Sequence, residues 1–134
     1  MTNLHILIAE DDPDDGEIML ETFSKHDAFS RIDLVKNGFE LLEYLRDENV
    51  NTPDVILTDI NMPILSGIEA LEKINADTAL KAIPAFVYSS TLNPAYQVKC
   101  MSLGTKAFLV KPLNMKEFDA IPKTILQILE GETL

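Results

Sequence analysis

Five short apolar runs, separated by segments with helical periodicity, constrain the fold of this 134-residue chain more than any other feature. Apolar runs of about four to eight residues that end at turn signals are typical of buried strands. The strands predicted in this way cover residues 4–9, 30–35, 54–58, 85–89 and 106–110. Strands that alternate with helices along a chain pair in parallel, and the helices cover both faces of the sheet. The pattern therefore predicts an α/β protein with a central parallel sheet.

Capping residues mark where the helices between these strands begin. Asp12 precedes Pro13 and Asn93 precedes Pro94, which is typical because the cap accepts a backbone N–H and proline suits the first helical position. A third helix is predicted to begin near Ser66. The residues predicted to face the core at helical spacing are Ile18, Met19, Thr22 and Phe23, then Phe39, Leu42 and Leu45, then Ile68, Leu71 and Ile74, and finally Val98 and Met101.

The last helix carries an internal irregularity. Asn114 and Glu117 have the form of a capping box, and apolar residues continue at helical spacing to Leu129. Pro122 falls inside this segment, where a missing N–H and a ring clash cost about 3 kcal/mol in a regular helix. A kink or a restart is predicted near this residue.

The fold class that follows is a three-layer, doubly wound (βα)5 arrangement of the flavodoxin-like type, with the five-stranded parallel sheet in the order 2-1-3-4-5. The chain has 134 residues and 46% hydrophobic content, which suits one ordinary domain. We expect residues 1–134 to form a single domain without an appended output domain.

Charge and composition exclude several classes of function. The net charge of −11 disfavours direct binding of nucleic acid, because an acidic surface repels polyanions. The sequence shows neither a signal peptide nor an apolar stretch near the roughly 20 residues of a membrane span. The single cysteine, Cys100, cannot form an internal disulfide, as is usual in a reducing compartment. We expect a cytoplasmic protein.

Polar residues follow the predicted strands at the edge where ligands bind in such sheets. They are Glu10, Asp11 and Asp12 after the first strand, Asp59 after the third, Ser89 at the end of the fourth and Lys111 after the fifth. Several carboxylates close together cannot all stay ionised unless a cation compensates them. Oxygen ligands suit Mg²⁺, which proteins usually hold through one or two carboxylates. The pattern predicts a Mg²⁺-dependent phosphoryl-transfer site in which Asp59 is the nucleophile, Ser89 offers a hydroxyl donor, and Lys111 pairs with a carboxylate or with a phosphoryl oxygen.

With these residues in place, the chain resembles the receiver domain of two-component response regulators over nearly its whole length. Glu10-Asp11 resembles the acidic pair of the family, Asp59 its phosphoacceptor and Ser89 its hydroxyl position. Other matches are the turn Met62-Pro63 with Gly67, the switch aromatic at Phe108, and Lys111-Pro112 with its typically cis prolyl bond. The single-domain receivers of the chemotaxis type and the partners of phytochrome-type kinases are especially similar.

The resemblance implies a mechanism. Glu10, Asp11, Asp59 and the backbone carbonyl of Asn61 would bind Mg²⁺. Phosphorylated Asp59 would draw in Ser89, Phe108 would rotate inward, and the face built from the fourth helix, the fifth strand and the fifth helix would change its protein partners.

The resemblance also implies partners and a place in a phosphorelay. The phosphoryl donor would be a sensor histidine kinase, with the phytochrome type as one candidate, and the output would be a protein contact, with a homodimer as one form. Such a protein is a signalling phosphoprotein that catalyses only its own phosphorylation and dephosphorylation.

Three alternatives stay open at this point. The acidic pair could be Asp11-Asp12, although the length of the preceding strand favours Glu10-Asp11 with Asp12 as a helix cap. A phosphatase or dehalogenase would also use a strand-end aspartate, but it needs a second acid two residues later, where Asn61 stands. A phosphorylation-independent adaptor would bind no Mg²⁺. Phosphoryl transfer at His26 is disfavoured, because the strand-rich pattern contradicts a helical bundle.

Overall fold

A computed structural model describes residues 2–131 and has a five-stranded parallel sheet at its centre. The strands are β1 (Leu4–Ala9), β2 (Phe29–Val35), β3 (Val55–Thr58), β4 (Ala85–Ser89) and β5 (Ala107–Val110). They lie in the order β2-β1-β3-β4-β5, and each neighbouring pair is parallel. The predicted fold class and strand order are confirmed.

Helices cover both faces of this sheet. They are α1 (Pro13–Ser24), α2 (Gly38–Arg46), α3 (Gly67–Asn75), α4 (Pro94–Ser102), α5 (Met115–Phe118) and α6 (Ala120–Gly131). The predicted caps Asp12, Asn93 and Asn114 accept a backbone N–H at 3.0, 2.9 and 3.1 Å. Ser66, near which a helix was predicted to begin, also caps its helix, at 3.2 Å. Gly104 lies just beyond α4 with φ of 85°, a left-handed conformation that glycine adopts without steric cost.

The predicted interruption of the last helix is confirmed. The first segment, α5, ends at Phe118, and α6 begins at Ala120. Pro122 thus lies in the first turn of α6, where backbone N–H groups have no partner within the helix and the missing N–H of proline costs nothing. Because the helix restarts upstream of it, Pro122 is accommodated as a buried residue.

Three residues predicted to face the core are exposed instead. Val98 is 71% exposed, Met101 49% and Phe39 51%. In α4 the buried residue is Cys100, and a step of two residues along a helix turns the side chain by about 200°. Val98 therefore points away from the sheet, and a short helix buries only one narrow stripe.

Two hydrophobic layers fill the space between the sheet and its helices. One layer contains Leu7 and Ala9 of β1 and lies under α2, α3 and α4, whereas the other contains Ile6 and Ile8 and lies under α1 and α6. The layers alternate because successive side chains of a strand point to opposite faces. Within residues 2–131, no helix is long and apolar enough to cross a membrane.

A polar network lies beneath α2, away from the carboxyl ends of the strands. His5 is only 8% exposed, as expected of a histidine in a central strand, and its Nε2 lies 2.9 Å from Asp33 Oδ2. The hydroxyl of Tyr44 donates to the same oxygen at 2.5 Å. Burial acts to raise the pKa of Asp33, but the hydrogen bonds from Tyr44 and His5 outweigh it and lower this pKa.

Tyr44→Phe removes one donor from the Asp33 carboxylate and should lower the free energy of unfolding by about 1 kcal/mol, the usual size for a partly exposed hydrogen bond. Chemical denaturation of the two proteins measures the difference. Tyr96→Phe is the matched control, because Tyr96 lies at the surface of α4 and its substitution should leave the free energy of unfolding unchanged. Equal losses in both variants would contradict a specific role for the Tyr44 hydroxyl.

Candidate functional site

Strand alternation gathers the charged residues on one face of the sheet edge. Glu10 continues the face that carries Ile6 and Ile8 in β1, and Asp59 continues the face that carries Val55 and Leu57 in β3. Lys111 likewise follows Ala107 and Leu109 of β5 by the same two-residue spacing. Parallel strands end at the same edge, so side chains with this shared alternation meet above the α1 and α6 layer.

The ammonium group of Lys111 lies at the centre of this cluster. Its Nζ is 2.7 Å from Glu10 Oε1, 3.1 Å from Asp59 Oδ2 and 3.3 Å from Asp15 Oδ2. The side chains of Glu10 and Asp59 are 0% and 9% exposed, so their charges are largely removed from water. Buried carboxylates require such pairing. Burial acts to lower the pKa of Lys111. The hydrogen bond to Glu10 and the charge of Asp59 outweigh this effect and raise the pKa, so Lys111 stays protonated.

Two members of the cluster were missed by the sequence prediction. Tyr88, which is fully buried in β4, donates its hydroxyl to Glu10 Oε1 at 2.6 Å, and its ring centroid lies 4.9 Å from Lys111 Nζ. Asp15, in the first turn of α1, contacts the same Nζ. The sequence did contain a signal for Tyr88. It lies two residues after Phe86 in β4, so both side chains point to the same face of the sheet, toward the apolar layer under α1. Asp15 carried no comparable signal, because many acidic residues occupy first turns.

Glu10 has a donor on each carboxylate oxygen. Tyr88 and Lys111 bind Oε1, and the backbone N–H of Asp12 donates to Oε2 at 3.1 Å. Burial acts to raise the pKa of Glu10, but the hydrogen bonds from Lys111 and Tyr88 prevail and lower it. Asp12 itself is exposed and caps α1. The carboxylates that come together with Asp59 are those of Glu10 and Asp11, the pair favoured from sequence.

Asp59 is held at both of its carboxylate oxygens. The backbone N–H of Ile60 donates to Oδ1 at 2.7 Å, and Lys111 Nζ binds Oδ2. Burial and the nearby charge of Glu10 raise the pKa of Asp59 to about 6, against the opposing effect of Lys111. An anionic oxygen that is partly desolvated and fixed in orientation is suited to nucleophilic attack.

The donor set fits a hard divalent cation. Glu10, Asp11 and Asp59 each offer a carboxylate oxygen, and these oxygens all lie within 4.8 Å of one another. Burial and the charge of Glu10 raise the pKa of Asp11, so proximity of like charge already perturbs this exposed acid. Oxygen ligands with one side open to solvent suit Mg²⁺, which keeps several waters. Asn61 lies exposed in the loop after Asp59.

The side chains of Ser89 and Phe108 point to the other face of the sheet, opposite to Glu10, Asp59 and Lys111. Phe108 is half-buried against the layer under α4, which also contains Val87. Ser89 is only 1% exposed, and its Oγ accepts the backbone N–H of Thr91 at 3.3 Å. A hydroxyl that accepts one hydrogen bond still has its own proton to donate.

The loop after β3 is fixed by close backbone packing. The N–H of Gly67 donates to the carbonyl of Ile60 at 2.8 Å, and a Cβ at Gly67 would overlap the carbonyl oxygen of Asp59. Ile64 has φ of 70°, which is unfavourable for a β-branched residue. The loop conformation that presents Asp59 is therefore maintained against local strain.

The expected cis bond between Lys111 and Pro112 is wrong. Between residues 2 and 131 the peptide bonds are trans, including this one. The N–H of Lys111 donates to the carbonyl of Ser89 at 2.8 Å, which extends the β4–β5 pairing by one residue. The trans isomer of a prolyl bond is intrinsically favoured by about 0.5–1 kcal/mol.

Asp59→Asn should stabilise the fold at neutral pH. Because the pKa of Asp59 is raised from 3.8 to about 6, the folded state holds this proton more tightly than the unfolded state, and stability falls as the pH rises through that interval. Removal of the charge should raise the free energy of unfolding by about 1–3 kcal/mol at pH 7.5. The gain should shrink steadily as the pH is lowered below about 6, as measured by denaturant titration.

Asp33→Asn is the matched control for this measurement. The pKa of Asp33 is lowered, so its ionised form stabilises the fold above its unfolded value and this contribution is lost as the pH falls. Asp33→Asn should therefore destabilise the protein at neutral pH. A gain in Asp59→Asn that is independent of pH would contradict the assignment of the effect to the Asp59 charge.

Comparison with known proteins gives one consistent result. The family model described as the response regulator receiver domain matches residues 6–122. Among curated proteins, the two-component response regulator ORR1 of Oryza sativa subsp. indica is 32% identical over 123 residues, which cover 88% of this chain and 53% of the relative. The chain thus spans about half the length of the first curated relatives that it matches.

Two solved structures are similar over almost their whole length. The phosphorylated cyanobacterial phytochrome response regulator RcpA has a TM-score of 0.86 and 30% identity, with coverage of 92% of this chain and 91% of that one. The Mn(2+)-bound form of response regulator Rcp1 has a TM-score of 0.82 and 25% identity, with coverage of 88% and 91%.

Proposed function

This chain belongs to the response regulator receiver domain family, and on that premise we propose that it accepts a phosphoryl group on Asp59 from a histidine kinase. The observation that carries the proposal is the geometry around Asp59. Its carboxylate lies with those of Glu10 and Asp11 in a donor set for a divalent cation, and its Oδ2 is 3.1 Å from the ammonium group of Lys111.

The reaction assigns a task to each residue of the site. A carboxylate oxygen of Asp59 attacks phosphorus, an O–P bond forms, and the N–P bond to the kinase histidine breaks while the imidazole leaves and takes up a proton. Mg²⁺ held by Glu10, Asp11, Asp59 and the backbone carbonyl of Asn61 would neutralise charge on the phosphoryl oxygens. Lys111 already lies against Asp59 and turns toward those oxygens. The Mn(2+)-bound form of Rcp1 supports the cation site.

The phosphoryl group then acts as a switch. Ser89 donates its hydroxyl proton to a phosphoryl oxygen, and Phe108 moves inward on the same face of the sheet, toward α4. The surface formed by α4, β5 and the final helical segment, α5 with α6, carries exposed apolar side chains, among them Val98 (71%) and Val110 (51%). We assign the phosphorylation-dependent protein contact, including a homodimer, to this surface.

Several features support a signalling role for this protein over that of a hydrolase that turns over substrates. A hydrolase with a strand-end aspartate needs a second acid two residues later, and Asn61 cannot act as one. The protein then catalyses only its own phosphorylation and dephosphorylation. The net charge of −11 argues for a protein target over nucleic acid. The likeness to a phytochrome response regulator supports a phytochrome-type kinase as donor.

Phosphorylation of Asp59 is tested with Mg²⁺ and a small acyl phosphate as donor. Intact mass should show one added phosphoryl group on the parent, none on Asp59→Asn, and one on the control Asp33→Asn, whose aspartate lies in the network under α2. Chelation of Mg²⁺ should abolish labelling. Labelling of Asp59→Asn to the extent of the parent would place the acceptor elsewhere, and turnover of a panel of phosphomonoesters would favour a hydrolase.

The output surface is tested by amide hydrogen exchange with and without the phosphoryl group. Exchange should change in residues 89–113, which include α4 and β5, and stay constant in β2 and α2, at the opposite edge of the sheet. Sedimentation should show self-association of the phosphorylated parent that Val98→Asp weakens and Phe39→Asp leaves intact, since both residues are exposed but only Val98 lies on α4. Unchanged exchange throughout 89–113 would refute this surface as the output.

A further inference from the structure

We propose that Tyr88 is a positioning residue of the cation site: its buried hydroxyl holds Glu10 in place, so that Lys111 can leave Glu10 for the phosphoryl group. This inference rests on the proposed function. It concerns a tyrosine that follows three apolar residues in β4, precedes Ser89, and lies beneath the charged cluster.

The first observation is the hydrogen bond itself. The Tyr88 hydroxyl donates to Glu10 Oε1 at 2.6 Å, and both side chains are fully buried. Hydrogen bonds from a neutral donor to a charged acceptor are short and roughly twice as strong as neutral ones. The hydroxyl cannot exchange this partner for water, so the contact is an integral part of the folded site.

The second observation is that the ammonium group of Lys111 forms ion pairs with several carboxylates at once. Its Nζ binds Glu10 Oε1 at 2.7 Å together with Asp59 and Asp15. In phosphoryl transfer the same ammonium group has to turn toward the phosphoryl oxygens. A buried carboxylate that loses its partner is costly. Tyr88 compensates Glu10 Oε1 after that movement, because its hydroxyl is bound there independently of Lys111.

The third observation is that the two carboxylate oxygens of Glu10 accept different hydrogen-bond donors. Oε1 accepts two side-chain donors, whereas Oε2 accepts the backbone N–H of Asp12, at 3.1 Å. Oε2 is therefore the oxygen with more capacity for a cation. Groups that orient a ligand from outside typically change metal affinity by 10–100-fold when they are removed.

The ring of Tyr88 allows the hydroxyl to be tested alone. It packs with the buried residues under α1 and α6, and Lys111 Nζ lies 4.9 Å from its centroid. Phenylalanine retains the ring, its packing and its contact with the lysine cation. Tyr88→Phe thus removes one hydrogen bond from Glu10 and changes little else.

The experiment measures Mn²⁺ affinity by calorimetry in the parent, Tyr88→Phe and Tyr44→Phe. Tyr44 is the matched control, because its hydroxyl also donates to a carboxylate, that of Asp33, but outside the site. Tyr88→Phe should weaken Mn²⁺ binding about tenfold, and Tyr44→Phe should not weaken it. Equal affinity in Tyr88→Phe and the parent, or equal losses in both variants, would overturn the proposal.

A double-mutant cycle tests whether Tyr88 acts through Glu10. In a Glu10→Gln background the carboxylate is absent, so the further change Tyr88→Phe should alter Mn²⁺ affinity by less than about twofold. In phosphorylation, Tyr88→Phe should raise the Mg²⁺ concentration for half-maximal rate about tenfold and leave the rate at saturating Mg²⁺ within about threefold. A tenfold loss that persists in the Glu10→Gln background would overturn the positioning role.

A second measurement needs no variant of Tyr88. The chain contains three tyrosines and no tryptophan, so its near-ultraviolet absorption reports on tyrosine. Addition of Mg²⁺ to the parent should shift this absorption, and the shift should persist in Tyr44→Phe and Tyr96→Phe but vanish in Glu10→Gln. A shift that vanishes in Tyr44→Phe, or none in a parent that binds the cation, would overturn the proposal. If the parent protein shows no absorption shift but is still phosphorylated on Asp59, the role of Tyr88 is refuted and the proposed function remains supported.

Discussion

The compensation of buried carboxylates by Lys111 is the interaction on which the candidate site depends. Glu10 follows β1 and Asp59 follows β3, so two acids meet at the edge of adjacent strands with almost no exposure. Their charges would oppose folding without a cation. Lys111 arrives from β5, beyond the intervening β4, and binds both acids and Asp15 of α1. One ammonium group thereby links the centre of the sheet, its edge strand and a helix.

The alternation of side chains separates two tasks on opposite faces of the same strand ends. Glu10, Asp59, Tyr88 and Lys111 continue the layer under α1 and α6, where charge is bound and balanced. Ser89 and Phe108 continue the layer under α4. Because neighbouring residues of β4 point to opposite faces, a phosphoryl group between them would be held from one side and sensed from the other.

Much of the fold was predictable because local chemistry marks it. Apolar runs identified the five strands, and Asp12, Ser66, Asn93 and Asn114 identified helix starts through short-range hydrogen bonds. Pro122 forced a break through its own covalent geometry. Prediction failed for Val98, Met101 and Phe39, because helical spacing shows only that apolar residues share a stripe, whereas the packing of the helix on the sheet decides which stripe is buried.

The amino-acid sequence by itself determined the order of strands and helices and the acids, hydroxyl and lysine at the strand ends, because these follow from periodicity, capping and strand direction. Only the tertiary structure decided that Tyr88 donates to Glu10, that Asp15 joins Lys111, and that the Lys111–Pro112 bond is trans. Tyr88 and Glu10, for example, are 78 residues apart in the sequence. Such contacts depend on the relative placement of whole strands and helices, which local sequence preferences do not specify.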